Sequence, residues 1–137
     1  MQIKSTVRVG SVYYFPEESF SSSEPHYFIV VNLNPIDDSV VILVWASSRI
    51  STIRQRRKNY PPTTLVEITP AQYPVFKCNS IIDCNKFMER TIDELVERLS
   101  SGKLDLKTEM PQSLTSQLRQ GVLDSPRIPG RIKKMLG

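Results

Sequence analysis

The chain has 137 residues, 39 % apolar and 23 % charged, which suits one domain with a real core and leaves little room for two. A net charge of +4 pulls only weakly toward an anionic partner such as nucleic acid. The two cysteines, Cys78 and Cys84, are too few for a disulfide framework or a structural zinc site, so a reduced, cytoplasmic chain is expected.

MQIKSTVRVG at the start has no apolar signal core, and no leader is expected there. VRVGSVYYF (7–15) opens with the β-branched Val7 and Val9; Gly10 marks a turn or bulge before a Val-Tyr-Tyr-Phe strand. PEESFSSSEP (16–25), with proline at both ends, reads as a loop. HYFIVVNL (26–33) is a strand apolar on both faces, NPIDD (34–38) a turn, and SVVILVWA (39–46) a second continuous strand. Together they form the best hairpin in the chain. VVILVWA is far too short to cross a bilayer.

RISTIRQRRKNYPP (49–62) reads as a long basic connection, TTLVEI (63–68) as a short strand and TPAQYPVF (69–76) as a turn or short helical segment. NSIIDCNKF (79–87) holds a strand centred on Ile81 and Ile82. TIDELVERLSSG (91–102) is a clear helix. Its apolar stripe falls at 92, 95, 96 and 99, Thr91 and Glu94 form a capping box, and Gly102 ends it. Further helices are expected over about 111–120 and from Ser125 or Pro129 through IKKML.

Short strands punctuated by glycine and proline suit a closed sheet, and short connections make it antiparallel. The expected fold is therefore mainly β: a small antiparallel barrel over about 7–87, with helices over about 91–137 packed on it, in a single domain 1–137.

The order of these pieces resembles the MazF/PemK/Kid-like toxins. VRVGSVYYF is similar to that family's opening glycine and hydrophobic strand. EPHYFIVVN is similar to the strand that usually reads Arg-Pro-x-x-Val-Val, and TLVEITPAQY with SIIDCNKF to a later strand pair. The resemblance covers roughly residues 7 to 95. It implies an SH3-like barrel related to that of CcdB, a homodimer, and an acidic antitoxin as partner. It also implies cleavage of single-stranded RNA by ribose 2′-OH attack on the adjacent phosphate, without metal or other cofactor. Such chemistry needs a base for the hydroxyl, donors for the phosphorane oxygens and an acid for the leaving 5′-oxygen. If Pro25 matches the family's proline, its arginine falls at Glu24, its threonine or serine at Ser47 or Ser48, and its acidic position at Asp83.

His26, the only histidine, stands where a flexible flank meets a strand. It can serve as base or acid, or be a half-exposed strand-entry residue. Ser47 and Ser48 can donate to a phosphate oxygen or simply end their strand. Asp83 can orient His26 or Arg49, or cap the next turn. Arg49, Arg54, Arg56, Arg57 and Lys58, with no acidic residue among them, can hold RNA phosphates, dock an acidic partner, or form a solvated basic loop. Tyr27, Phe28 and Trp45 can stack bases where they face outward, Trp45 fitting the core better. Glutamate at Glu24 reverses a charge the family uses. Two other readings therefore stand beside the ribonuclease toxin: a non-catalytic barrel module for nucleic acid or protein, and a CcdB-like poison of a protein target.

Overall fold

A computed structural model describes residues 6–21 and 24–137. Residues 1–5, which begin the segment read for a leader, and Ser22 and Ser23 of the expected serine loop lie outside the described residues. Strands β1 (Val12–Phe15), β2 (His26–Val30), β3 (Val40–Ser47), β4 (Leu65–Ile68), β5 (Ser80–Asp83), β6 (Met88–Thr91) and β7 (Asp105–Lys107) form one antiparallel sheet. Their order is β4-β5-β3-β2-β1-β7, with β6 also on β3. Helices α1 (Pro35–Asp38), α2 (Ile50–Arg56), α3 (Ile92–Ser100), α4 (Gln112–Asp124) and α5 (Gly130–Met135), with a 3-10 helix at Pro62–Thr64, accompany the sheet.

The sheet is not closed into a barrel, which corrects the expected mainly-β SH3-like barrel: the fold is mixed α+β. Among the described residues the path ends at β4, paired only with β5, and at β7, paired only with β1. The physical reason lies in what covers the strands. On one face Val12, Ile29, Ile42 and Val44 pack with Leu114, Leu118 and Val122 of α4 and Ile132 of α5. On the other, Tyr13, Phe15, Phe28, Val30 and Leu43 pack with Ile92 and Leu95 of α3. Helices cover both faces, so the apolar side chains need no barrel interior. A sheet buried on both sides also explains strands that read as continuous apolar runs.

Local rules account for the element ends. Gly10 turns the chain into β1 at φ +90°, and Gly102 follows α3 at φ +75°, both left-handed conformations that glycine adopts without strain. The capping box forms as expected: Thr91 Oγ1 accepts from the Glu94 N–H at 3.1 Å, and Glu94 Oε1 accepts from the Thr91 N–H at 3.0 Å. Two expected connections are instead helical, NPIDD as α1 and much of 49–62 as α2. The helix expected over 111–120 runs on to Asp124, and the last helix begins just after Pro129. β6 and β7 were not anticipated at all. No helix among the described residues is long and apolar enough to cross a membrane.

Candidate functional site

Strand β3 is eight residues long and changes partners along its length. Its ladder with β2 runs Val30↔Leu43, Ile29↔Val44 and Phe28↔Trp45, and ends there. Beyond that pair, among the described residues, β2 continues only against β1, to Phe15↔His26, while β3 continues against β5 at Ala46↔Ile82 and Ser47↔Ile81. The sheet forks, and a cleft of about 520 Å³ opens in the fork.

His26, Ser47, Ser48 and Arg49 all line this cleft, with Lys86 and the aromatic rings of Tyr14, Tyr27 and Trp45. His26 begins β2, half-buried, with its ring edge-on to Phe20 at 5.2 Å between centroids. Its Nδ1 lies 3.0 Å from the Glu24 carbonyl oxygen. A carbonyl only accepts, so that contact places the ring proton on Nδ1 and leaves Nε2 as the acceptor. Ser47 ends β3, and its Oγ accepts from the Arg49 backbone N–H at 3.1 Å, which leaves the hydroxyl proton available. Arg49 and Lys86 are exposed and make no ion pair among the described residues.

The rest of the basic segment scatters. Arg57 is buried, its Nε donating to Asp83 Oδ2 at 2.9 Å and its guanidinium 4.9 Å from the centre of the Tyr60 ring. Arg54 pairs with Glu67 at 2.6 Å. Arg56 and Lys58 are exposed, without an ion pair among the described residues. Asp83 is not brought to His26 or Arg49. Besides Arg57, it accepts from the Asn85 backbone at 3.1 Å and side chain at 2.9 Å. Asn85 in turn donates to Thr64 and accepts from Ser125 at 2.6 Å, so Asp83 anchors a buried polar network.

The aromatic candidates divide by alternation along the strand. Phe28 is fully buried in the core beneath α3, Tyr27 is half-buried on the opposite face, and Trp45 is half-buried on the Phe28 side. The Tyr27 ring lies 4.5 Å from that of Tyr14, tilted by 39°, and the Lys107 Nζ lies 5.5 Å from the centre of the Tyr14 ring. Sequence reasoning passed over Tyr14 and did not place Lys86 in the site. Tyr14 was legible in hindsight, since it sits one residue from buried Tyr13 and must face the other way. Lys86 carried no signal, because it enters the cleft from the turn after β5, about forty residues beyond β3 in the chain.

Cys78 is exposed at the cleft, whereas Cys84 is buried and its thiol is pushed well up by burial, which leaves it inert. Among the described residues, no three His, Cys, Asp or Glu side chains converge as a metal site requires.

No protein-family model and no curated protein matches the chain. Among solved structures it is similar to an endoribonuclease in complex with its cognate antitoxin from Mycobacterial species. The likeness covers 90 % of this chain and 97 % of that chain, with a TM-score of 0.56 and 12 % identity. At that identity it establishes a shared fold.

Proposed function

We propose that the chain is an endoribonuclease toxin of the MazF/PemK/Kid-like kind, held in check by an acidic antitoxin. It cuts single-stranded RNA at the forked-sheet cleft without metal. The observation that carries this reading is the gathering of His26, Ser47, Ser48 and Arg49 in one cleft, within a fold shared with an endoribonuclease. His26 Nε2 takes the proton of the ribose 2′-OH as that oxygen attacks the adjacent phosphorus. Arg49, Lys86 and a serine hydroxyl hold the phosphorane oxygens, where charge develops. The bond to the 5′-oxygen breaks, and that oxygen takes a proton from water at the open cleft; the hydroxide so formed is neutralised by the proton that His26 gives up, which restores the neutral imidazole. The products are a 2′,3′-cyclic phosphate and a free 5′-hydroxyl.

This assignment also answers the charge reversal at Glu24. That residue lines the same cleft, but cationic side chains reach it from elsewhere: Arg49 from the junction of β3 and α2, and Lys86 from the turn after β5. Arg56 and Lys58, exposed beyond the cleft, suit an acidic antitoxin segment.

Single-turnover cleavage of a labelled single-stranded RNA in EDTA tests the reading. His26→Ala and Arg49→Ala should each slow cleavage by about a hundredfold or more, the usual scale for losing a proton-transfer group or a charge-stabilising donor. Wild-type rates in both variants would overturn the site. The carboxylate of Glu24 in the cleft favours the non-catalytic binding module as a second reading. RNA that binds the wild-type protein and stays intact would establish it.

A further inference from the structure

A second cleft of about 530 Å³ adjoins the first. Phe20 and Ser21 line both, so the two clefts are neighbours with a shared wall. Phe20 is the partition between them. Its ring lies 5.2 Å from His26 and 5.1 Å from Trp45, and it also borders the second cleft. The chemistry of this second space differs from that of the first. Pro16 and Phe20 give it apolar walls. The carboxylate of Glu18 and the ammonium of Lys103 are exposed and make no ion pair among the described residues. Glu17, by contrast, is 3 % exposed and fully engaged, by Arg90 at 2.7 Å and Arg98 at 3.3 Å.

We propose that this second cleft receives the nucleobase on the 5′ side of the scissile phosphate and selects for bases that present an amino group. The inference rests on the ribonuclease reading. His26 takes the proton of a 2′-OH, so the ribose carrying that hydroxyl lies beside His26, and its base reaches past Phe20 into the adjoining space. An aromatic wall accepts any base face. The carboxylate of Glu18 accepts from an exocyclic amino group, as carboxylates do when they read cytosine. Uracil fits worst, because its single base-edge N–H is flanked by two carbonyl oxygens. Lys103 meets the phosphate preceding that nucleotide. An acidic antitoxin peptide finds a cation in Lys103, but its carboxylates are repelled by Glu18 and have no proton to donate to it, which makes it the poorer occupant.

The test uses short 2′-deoxy oligonucleotides with one ribonucleotide at the cleavage position, its base varied among adenine, cytosine, guanine and uracil. Wild-type kcat/KM for uridine should fall about tenfold or more below the best base, the scale of one good base-edge contact. Glu18→Gln should compress that spread, and Lys103→Ala should raise KM several-fold with kcat held. Both residues are exposed, so neither substitution threatens folding. Equal rates on all four bases, unchanged by either substitution, would overturn the inference and leave the ribonuclease reading standing. No cleavage of any substrate by the wild type would instead remove the ribonuclease reading itself. Variants that weaken antitoxin binding yet leave base preference untouched would assign the cleft to protein recognition and also overturn the inference.

Discussion

Arg57 is 5 % exposed and binds Asp83, itself only 10 % exposed, in a network that also holds Asn85, Thr64 and Ser125. Removing the guanidinium leaves a carboxylate buried without its countercharge, so Arg57→Ala should cost about 3–5 kcal/mol in a denaturant titration. Arg49 predicts the opposite pattern. Exposed in the cleft and free of ion pairs among the described residues, it should leave the melting temperature unchanged when replaced by alanine. RNA affinity should fall, and its dependence on salt should flatten by roughly one counterion. Read along the chain, these two arginines look alike, eight positions apart in one basic run. Only the fold separates them, because the acidic partner of Arg57 arrives from β5, and sequence spacing carries no trace of that pairing. His26 was legible as the candidate because it stands at a strand entry. Its Nδ1 contact to Glu24 two residues earlier is local enough to follow from the turn before β2.

Helix α3 was legible almost whole, because its signals are local: an apolar stripe, a capping box and a glycine stop. Thr91→Ala should cost about 1 kcal/mol by removing the cap, measured by chemical denaturation. Helix α4 shows what local signals miss. Gly121 sits in its interior, where glycine is normally unfavourable. A Cβ there would lie 2.8 Å from the Thr63 carbonyl oxygen and 2.8 Å from Cys84 Sγ. Gly121 therefore lets α4 press close against Thr63 and Cys84, which flank β4 and β5. Gly121→Ala, which should stabilise an isolated helix, should destabilise this protein by about 1–3 kcal/mol through overpacking. Strands β6 and β7 escaped the sequence reading because they are four and three residues long and largely polar. Neither carries an apolar alternation to detect, and both are recruited by pairing with longer strands.

Across the whole molecule, the sheet stays open because α3 covers one face and α4 and α5 the other. The continuous apolar strands were legible, but they are equally compatible with a barrel interior and with a sheet buried between helices, and the helices decide. The open sheet also lets β3 leave β2 for β5, and that divergence makes the cleft. Charge pairing ties the α3 side to the loop after β1. Burial raises the pKa of Glu17, but hydrogen bonds from Ser19 and Arg90 outweigh it and hold the carboxyl below its usual value of 4.5. A carboxylate with a lowered pKa favours the folded state above its unfolded value, and that stability is lost as pH falls through the folded value. The melting temperature should therefore decline below about pH 4.5, and Glu17→Gln should flatten that acid limb.

Attack by the ribose 2′-OH, proposed for the fork in the sheet, needs that hydroxyl on the cleaved nucleotide. The most direct measurement compares one single-stranded RNA with its twin bearing a single 2′-deoxy substitution at the cleaved nucleotide, both in EDTA, with end-group analysis of the products. The RNA should be cut to a 2′,3′-cyclic phosphate and a 5′-hydroxyl, and the deoxy twin should bind equally well but stay intact at that position. Cleavage of both, or a 5′-phosphate on the product, would contradict it.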